Sequence, residues 1–330
     1  MSRKSKKELI SIVLSFYNEG EVLPELIRRL RDVFKNLDYD HELVFVNDCS
    51  TDNSLDVLIE QSKGHDDIRI LNTSRNFGHM PCIFAGLEAT EGDAIIYMDA
   101  DLQDPPELIP EMIEAWKSED DIEVVFTTRT HRDGEGWFKL WITKWGYRIL
   151  KFASEVPIHE NSGDFRLLSR RALNEFLKFK EKKPFFRFLV SWIGFKQKQV
   201  FYRREKRYAG TSNFSVFSRK VYSQFLEISL IPFSDKPLKL SLLAGFLTSI
   251  SAFAYLVYVL FTKIVFDWNL PGWSAIMAVM LFLGGVQFSV IGILGLYIGS
   301  IHKEVKERPS YIIKEKIGFP KEDNEGLEKK

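Results

Sequence analysis

Two long runs of residues without a charged side chain lie near the C-terminus, at 240–262 and 273–301. At about 1.5 Å per residue in a helix, each run is long enough to cross a hydrocarbon layer of about 30 Å. Each could instead form a buried helix of a soluble protein, but the presence of two such runs disfavours that alternative. The short connection between them predicts a transmembrane hairpin of two helices, which we place at 238–302.

The charges around the two runs predict how the hairpin is oriented. Basic residues lie on the side of both chain termini: Lys236, Lys239, Lys303, Lys306 and Arg308. On the opposite side, the connection contains only Lys263. Because basic residues are enriched on the cytoplasmic side, both termini and the large N-terminal region are expected in the cytoplasm. The chain is therefore expected to be a multi-pass protein of the cell's inner (plasma) membrane.

The N-terminal region alternates between short β-rich runs and segments with a helical pattern. We predict strands at 9–15, 42–47, 68–72, 94–99 and 123–128, and helices at 21–37, 53–63, 81–90 and 106–118. Such alternation is typical of an α/β fold with a mostly parallel sheet covered by helices. Ligands of these sheets bind where the strands end, so polar residues after the strands are candidate site residues.

The pattern is less regular after about residue 135. We predict a strand at 163–169, a helix at 170–180, an edge strand at 195–205 and then a basic loop. Apolar residues at steps of three and four follow, and they predict an amphipathic helix on the membrane surface, with an ordinary domain helix as the alternative. The predicted organisation is a basic tail (1–8), a cytoplasmic domain (9–212), the amphipathic helix (213–237), the hairpin (238–302) and a charged cytoplasmic tail (303–330).

Three aspartates follow the fourth predicted strand in quick succession, Asp99, Asp101 and Asp104. Carboxylates so close to one another repel unless a cation compensates them. Alternate residues of a strand face the same way, so Asp99 and Asp101 should point to one side, and Gln103 offers a further oxygen. Hard oxygen ligands suit Mg²⁺ or Mn²⁺, often together with substrate phosphates. A capped, solvated turn is the alternative, and we favour the metal site.

Other strand ends carry residues that suit a phosphorylated ligand. The chain lacks the glycine-rich loops that cradle phosphates, so metal and arginine side chains would have to hold them. Asp48, after the second strand, can accept hydrogen bonds from a base or a ribose, although Ser50 or Thr51 beside it also suits helix capping. Tyr17, after the first strand, can stack on a base or serve in packing.

The composition gives less information about function than the motifs do. Lys and Arg together number 45, as do Asp and Glu, so the zero net charge indicates no particular partner, and we expect no nucleic acid. The two cysteines, Cys49 and Cys82, imply no disulfide framework. Gly292, Gly295 and Gly299 in the second apolar run favour helix packing within the hairpin or between chains, so a homo-oligomer stays open.

Five segments carry a family resemblance in their order and spacing: LSFYNEGE, VNDCSTDNS, SRNFGHMPCIFAGLEATEGDAIIYMDADLQDPPELI, SGDFRLLSRRAL and RYAGTSN. From about residue 9 to 308, the chain resembles the polyprenyl-phosphate glycosyltransferases. That family includes dolichyl-phosphate mannose synthase and bacterial undecaprenyl-phosphate glucosyltransferases. The resemblance implies an A-type glycosyltransferase fold and an inverting, metal-dependent transfer. The sugar would pass from a nucleotide-diphosphate donor, expected to be a UDP-sugar, to undecaprenyl or dolichyl phosphate.

The resemblance also implies a role for each site residue. Tyr17, Glu19 and Asp48 would hold the nucleoside. Asp99 would contact the ribose or sugar side and add to the metal site, in which Asp101 and Gln103 would ligate the Mg²⁺ or Mn²⁺. Asp164 would lie at the sugar, and phosphate would be bound by Arg129, Lys144 and Arg207. Asp164, Asp101 and Arg129 are thus the expected catalytic residues.

One tetrapeptide departs from the family pattern. The family usually has Asp-Asp-Gly-Ser where this chain has Asn47, Asp48, Cys49 and Ser50. Loss of one carboxylate is expected to alter contacts with the base or ribose. Because glycine is absent, the turn is not expected to need a positive φ.

The acceptor chemistry limits what the carboxylates must do. A lipid phosphate is already anionic near neutral pH and hardly needs a general base. Asp164 is therefore expected to orient the acceptor or stabilise an oxocarbenium-like sugar, with proton abstraction secondary and capping of the next turn as the alternative. His79 is expected to pack at the start of a helix. Two alternative functions remain: transfer to another lipid such as diacylglycerol, and a role as a catalytically silent membrane scaffold. The identity of the sugar stays open.

Overall fold

The structure is a computed structural model that describes residues 7–130, 162–182, 184, 186–203, 236–266 and 272–320. The described residues form two compact units. One unit contains a sheet with helices packed on it, and the other contains two long C-terminal helices. The predicted amphipathic helix at 213–237 lies outside the described residues, except for its last two positions, which begin the first long helix.

Within the described residues, eight strands form one sheet. They are β1 (Leu9–Phe16), β2 (Asp40–Asn47), β3 (Ile68–Thr73), β4 (Ala94–Asp99), β5 (Ile122–Arg129), β6 (Ser162–Ser169), β7 (Lys196–Tyr202) and β8 (Ile313–Ile317). Their order across the sheet is β7-β5-β6-β4-β1-β2-β3-β8. Strands β1 to β4 pair in parallel, as do β5 and β7, whereas β6 is antiparallel to both its neighbours and β8 is antiparallel to β3. The mostly parallel sheet predicted from the sequence is confirmed.

The helices of this unit connect or follow the strands. They are α1 (Leu23–Phe34), α2 (Ser54–Ser62), α3 (His79–Glu88), α4 (Ile109–Lys117), α5 (Arg170–Phe176) and α6 (Phe186–Trp192), with a short 3-10 turn at Pro106–Leu108. The first four lie at the predicted positions. Helix α5 ends earlier than the predicted 170–180, and α6 was not predicted.

The apolar spacing of the sequence explains how the helices pack on the sheet. In α1, the buried residues recur at steps of three and four: Leu23, Leu26, Ile27, Leu30 and Phe34. Complete burial of such a side chain stabilises the fold by about 1.5–3 kcal/mol. Helix α3 approaches β1 closely because Gly86 has no side chain, and a Cβ there would collide with Val13.

The C-terminal segment differs from the charged tail predicted at 303–330. Residues Ile313–Ile317 form β8, which pairs with the edge strand β3. Ser74 after β3 extends this contact by donating its backbone N–H to the carbonyl of Ile312 at 2.9 Å. Residues Ile313–Ile317, within the predicted tail, therefore belong to the sheet. Their short, partly charged sequence has a pattern that exposed loops share, so the pairing was not evident.

The second unit consists of α7 (Lys236–Phe266) and α8 (Trp273–Val305), which contact each other. Within them, Leu238–Val259 and Val279–Val305 are long and apolar enough to cross a membrane. Almost none of these two segments is buried, whereas the core helix of a soluble protein would be mostly buried. This unit has the features expected of a helical hairpin.

Candidate active site

One edge of the sheet gathers most of the predicted site residues. Strands β1, β2, β4, β5 and β7 run in the same direction and end at this edge, while the antiparallel β6 begins there. The topology therefore brings to this edge residues from distant parts of the sequence: Tyr17, Glu19, Asp48, Asp99, Asp101, Gln103, Arg129 and Asp164. Side chains of both charges thus lie where ligands of such sheets bind.

The segment after β1 is fixed to the segment after β2. The side-chain oxygen of Asn18 accepts a hydrogen bond from the N–H of Thr51 at 2.8 Å, and the N–H of Glu19 donates to the hydroxyl of Ser54 at 2.9 Å. The Tyr17 side chain remains 43% exposed beside this fixed backbone. An exposed ring on a fixed loop is what base stacking requires. The contacts of Tyr17 and Glu19 with a nucleoside stay predictions.

The Asp48 carboxylate is buried and holds a neighbouring loop. One oxygen accepts the N–H of Phe77 at 2.7 Å, and the other accepts the N–H of Gly78 at 2.9 Å. These two bonds fix the segment between β3 and α3. Asp48 therefore has a structural task that the sequence did not indicate, and its contact with a nucleoside stays a prediction.

Cys49 corrects an expectation about the turn after β2. Its φ is 57°, in the left-handed region, so the expectation that this turn needs no positive φ was wrong. Hydrogen bonds from the N–H and hydroxyl of Ser50 to the Asn47 side chain, at 3.0 and 2.6 Å, hold the turn. Asn18 and Leu102, after β1 and β4, also have φ of 57°. Such backbone strain concentrates at functional sites.

Asp99, the last residue of β4, belongs to a hydrogen-bonded cluster. The Tyr97 hydroxyl donates to Asp99 at 2.9 Å and lies 2.7 Å from Nε2 of His79. On the other side of the His79 ring, Nδ1 lies 3.1 Å from the Ser15 hydroxyl. His79 was expected only to pack, but its side chain is 47% exposed and belongs to this polar cluster. Its position at the start of α3, soon after a strand end, was the available signal.

The predicted metal ligands lie at the end of β4 and in the turn that follows it, residues 100–104, which we call the acidic turn. The strand ends at Asp99, so the expected alternation of side chains does not extend to Asp101. Instead, Asp101 accepts the N–H of Gln103 at 3.1 Å and closes a tight turn around the buried Leu102. Among the residues that the structure describes, no three His, Cys, Asp or Glu side chains cluster closely enough to hold a metal. Asp99, Asp101 and Gln103 together offer two carboxylates and one amide.

Arg129, at the end of β5, belongs to a network with Tyr202 and Asp104. Its Nε donates to the Tyr202 hydroxyl at 3.1 Å, and that hydroxyl donates to the fully buried carboxylate of Asp104. Burial, together with the negative charge of Asp104, raises the pKa of Tyr202, so the phenol keeps its proton. The network joins β5, β7 and the acidic turn. Tyr202 was not predicted as a site residue.

Asp164, near the start of β6, forms a two-bond ion pair with Arg187 of α6. The Nε–Oδ1 and Nη2–Oδ2 distances are 2.7 and 2.8 Å. Burial alone would raise the pKa of Asp164, but the hydrogen bonds and charge of Arg187 outweigh it and lower that pKa to about 2. Asp164 is therefore a carboxylate throughout the neutral range. Arg187 was missed because the sequence indicated no element around it.

Two predicted phosphate-binding residues, Lys144 and Arg207, lie outside the described residues, as does most of the basic loop. Their roles stay predictions.

The N-terminal half of the chain matches a known family. Residues 11–177 match the profile of Glycosyl transferase family 2, a range that spans β1 to the end of α5 and includes the acidic turn and Asp164. The chain belongs to this family. The sheet edge described above is accordingly that of a family 2 glycosyltransferase.

Two curated relatives match nearly the whole chain. The uncharacterised glycosyltransferase YkcC of Bacillus subtilis is 42% identical over 94% of this chain and 94% of its own length. A prophage-derived bactoprenol glucosyl transferase of Shigella flexneri is 36% identical over 92% of this chain and 97% of its own length. Among solved structures, a glucosyl-3-phosphoglycerate synthase from Mycobacterium tuberculosis with Mn²⁺ and UDP-glucose is a remote match. It is 20% identical, with 67% of this chain and 79% of that chain covered and a TM-score of 0.44.

Proposed function

We propose that this family 2 glycosyltransferase transfers a sugar, with inversion, from a UDP-sugar to a polyprenyl phosphate in the membrane. The observation that carries the proposal is the similarity over nearly the whole chain to a bactoprenol glucosyl transferase. The two apolar helices and the charged sheet edge support it. Undecaprenyl and dolichyl phosphate are the acceptors of this class.

The helices and their flanking charges support a membrane location. Almost none of the residues in the two apolar segments are buried, and an apolar surface left exposed in this way would be unfavourable in water. Basic residues flank the hairpin on the side of the chain termini, so we place the catalytic domain and both termini in the cytoplasm. A lipid acceptor would then meet an enzyme held in the same membrane.

The acidic turn has the composition of a divalent cation site. Asp99 and Asp101 would supply carboxylate oxygens and Gln103 an amide oxygen, all hard ligands suited to Mg²⁺ or Mn²⁺. Mg²⁺ commonly uses one or two protein carboxylates plus substrate phosphates, so a third carboxylate is not required. When bound, the cation would neutralise negative charge on the departing nucleoside diphosphate.

The remaining charged residues suit the approach of an anionic acceptor. Arg129 is fixed by Tyr202 at the end of β5 and would neutralise the incoming lipid phosphate. Asp164 is ionised and would stabilise positive charge that develops at the anomeric carbon. The acceptor phosphate already carries the nucleophilic oxygen as an anion, so no proton has to be removed. Attack opposite the departing diphosphate would invert the anomeric carbon.

An acceptor comparison tests the proposal. Purified full-length protein would be reconstituted with Mn²⁺, radiolabelled UDP-sugars or GDP-mannose, and vesicles that contain undecaprenyl phosphate, diacylglycerol or neither. We expect a labelled, acid-labile lipid product with undecaprenyl phosphate alone, and an anomeric configuration opposite to that of the donor. A product formed with diacylglycerol instead would support transfer to another lipid, and the absence of any product would support a silent scaffold.

A further inference from the structure

We propose that Arg187 is a positioning residue for this reaction, and that its side chain fixes Asp164 as a permanent negative charge that does not accept a proton during transfer. This inference rests on the proposed transfer to a polyprenyl phosphate. It assigns a task to a residue that neither the family match, which ends at 177, nor the sequence pattern indicated.

The backbone of Arg187 is held by the core of the sheet unit. Its neighbour Phe186 is 2% exposed and packs against the rings of Tyr97 and Phe176, with centroid distances of 5.7 and 5.0 Å. The hydroxyl of Ser191, one turn later, donates to the carbonyl of Arg187 at 3.1 Å. Helix α6 thus fixes the origin of the Arg187 side chain against β4, the strand that ends at the acidic turn.

The geometry of the ion pair fixes the carboxylate as well as its charge. Nε and Nη2 of Arg187 each bond to a different oxygen of Asp164, at 2.7 and 2.8 Å. The planar fork of a guanidinium therefore sets the orientation of the carboxylate plane, which a lysine cannot do. A proton on either oxygen would disrupt one of these two bonds. The arrangement suits a carboxylate that stays ionised through the reaction.

The other groups around Asp164 act in the same direction. Arg166 of β6 and His79 of α3 both favour the ionised carboxylate, and Tyr97 of β4 stays protonated because burial raises its pKa. The main opposing influence is burial, which favours the neutral acid. Arg187 is the largest influence that opposes burial, so its removal would raise the pKa of Asp164.

The pH dependence of the transfer reaction tests this assignment. We would measure kcat/KM of Arg187→Met and of the wild-type enzyme from pH 5 to 9. The ratio of variant to wild type at each pH removes the effect of titrating groups that both proteins share. We expect a loss of about 100-fold at every pH, because the carboxylate is no longer oriented, and a further fall in the ratio on acidification. If Asp164 instead accepted a proton, its higher pKa would make it a stronger base, and the variant would gain activity at alkaline pH. That gain, or a ratio independent of pH, would overturn the proposal.

A matched control and a conservative variant separate this role from general stability. Arg28 of α1 bonds to Glu25 through the same two nitrogens, at 2.8 and 2.6 Å, but on an exposed surface. Arg28→Met should leave kcat/KM and its pH dependence unchanged. If Arg187→Met does not accumulate, Arg187→Lys decides, because it keeps the charge without the fork. We expect Arg187→Lys to lower kcat about tenfold with little change in KM, and an unchanged kcat would contradict the proposal.

A double-mutant cycle tests the ion pair without any activity measurement. The Tm of full-length protein in detergent would be measured for Arg187→Met, Asp164→Asn and the double variant. Each single change leaves a partly buried charge without its main partner, so the double variant should be more stable than the sum of the two losses predicts. Additive losses would show that Arg187 does not fix Asp164. Wild-type protein that forms no lipid product, together with a non-additive cycle, would refute the proposed function while retaining the ion pair.

Discussion

Tyr202, the last residue of β7, donates its phenolic hydrogen to Asp104, a fully buried residue of the acidic turn. Arg129 donates to the same phenolic oxygen at 3.1 Å. The phenol therefore links the end of one strand to the loop that carries Asp101 and Gln103. Tyr202, which is not itself a predicted metal ligand, thus holds the loop of this glycosyltransferase that carries the predicted ligands.

Tyr202→Phe tests whether this support matters for metal binding. Loss of the phenol removes a hydrogen bond to a buried carboxylate, which typically costs about 1–3 kcal/mol of stability. We expect a lower Tm and a higher Mn²⁺ concentration for half-maximal transfer. Tyr311→Phe is the matched control, because it removes a phenol–carboxylate bond to Glu88 of 2.5 Å away from the acidic turn. An unchanged Mn²⁺ requirement in Tyr202→Phe would show that the link does not influence the turn.

Asp101→Ala tests the metal site itself. We expect transfer to fall about 100-fold or more, because charge on the diphosphate is no longer neutralised. Chelation of divalent cations should lower wild-type transfer in the same way. Asp121→Ala, directly before the start of β5 and 66% exposed, should leave transfer unchanged. Full activity of Asp101→Ala in folded, membrane-inserted protein would remove the metal assignment.

Cys49→Gly tests the strained turn after β2. Because Cys49 has a φ of 57°, glycine should relieve the steric cost of the left-handed conformation, about 1 kcal/mol. We expect a raised Tm for Cys49→Gly, measured by thermal unfolding in detergent. Cys49→Ala keeps a Cβ and should give no such gain. Equal values for the two variants would show that the backbone at this position is not strained.

The ionisation of Asp67 is expected to make the stability of the fold depend on pH. Burial opposes its charge, but hydrogen bonds from His41 and Arg31 prevail and lower the pKa of Asp67 from 3.8 to about 2. The folded-state pKa is thus below the unfolded one, so the stabilisation is present above about pH 4 and is lost as the pH falls towards 2.

The corresponding measurement compares Asp67→Asn with the exposed neighbour Asp66→Asn. We expect Asp67→Asn to lose about 2 kcal/mol of stability at pH 7, with the difference from wild type shrinking as the pH falls from 4 towards 2. Asp66→Asn should match the wild type throughout. A difference for Asp67→Asn that persists at pH 2 would exclude this ionisation as its cause.

The sequence predicted the parts of the fold that depend on local patterns. Short apolar runs marked the strands, so the position of Asp99 at the end of β4 followed directly. The partner of Asp164 could not be predicted, because Arg187 lies 23 residues away in the chain and reaches it only through the packing of α6. Strand β8 was missed because its pairing depends on the free edge of β3. At Cys49, bonds between Ser50 and Asn47 override the local preference against a positive φ.

The most direct test is a crystal structure of the full-length protein with a UDP-sugar and Mn²⁺, in which anomalous scattering locates the metal. We expect a manganese peak bonded to the carboxylate of Asp101 and to the diphosphate, with the nucleoside near Tyr17. A nucleotide bound at the sheet edge with no metal at Asp99, Asp101 or Gln103, or with the acidic turn facing away from the diphosphate, would contradict this expectation.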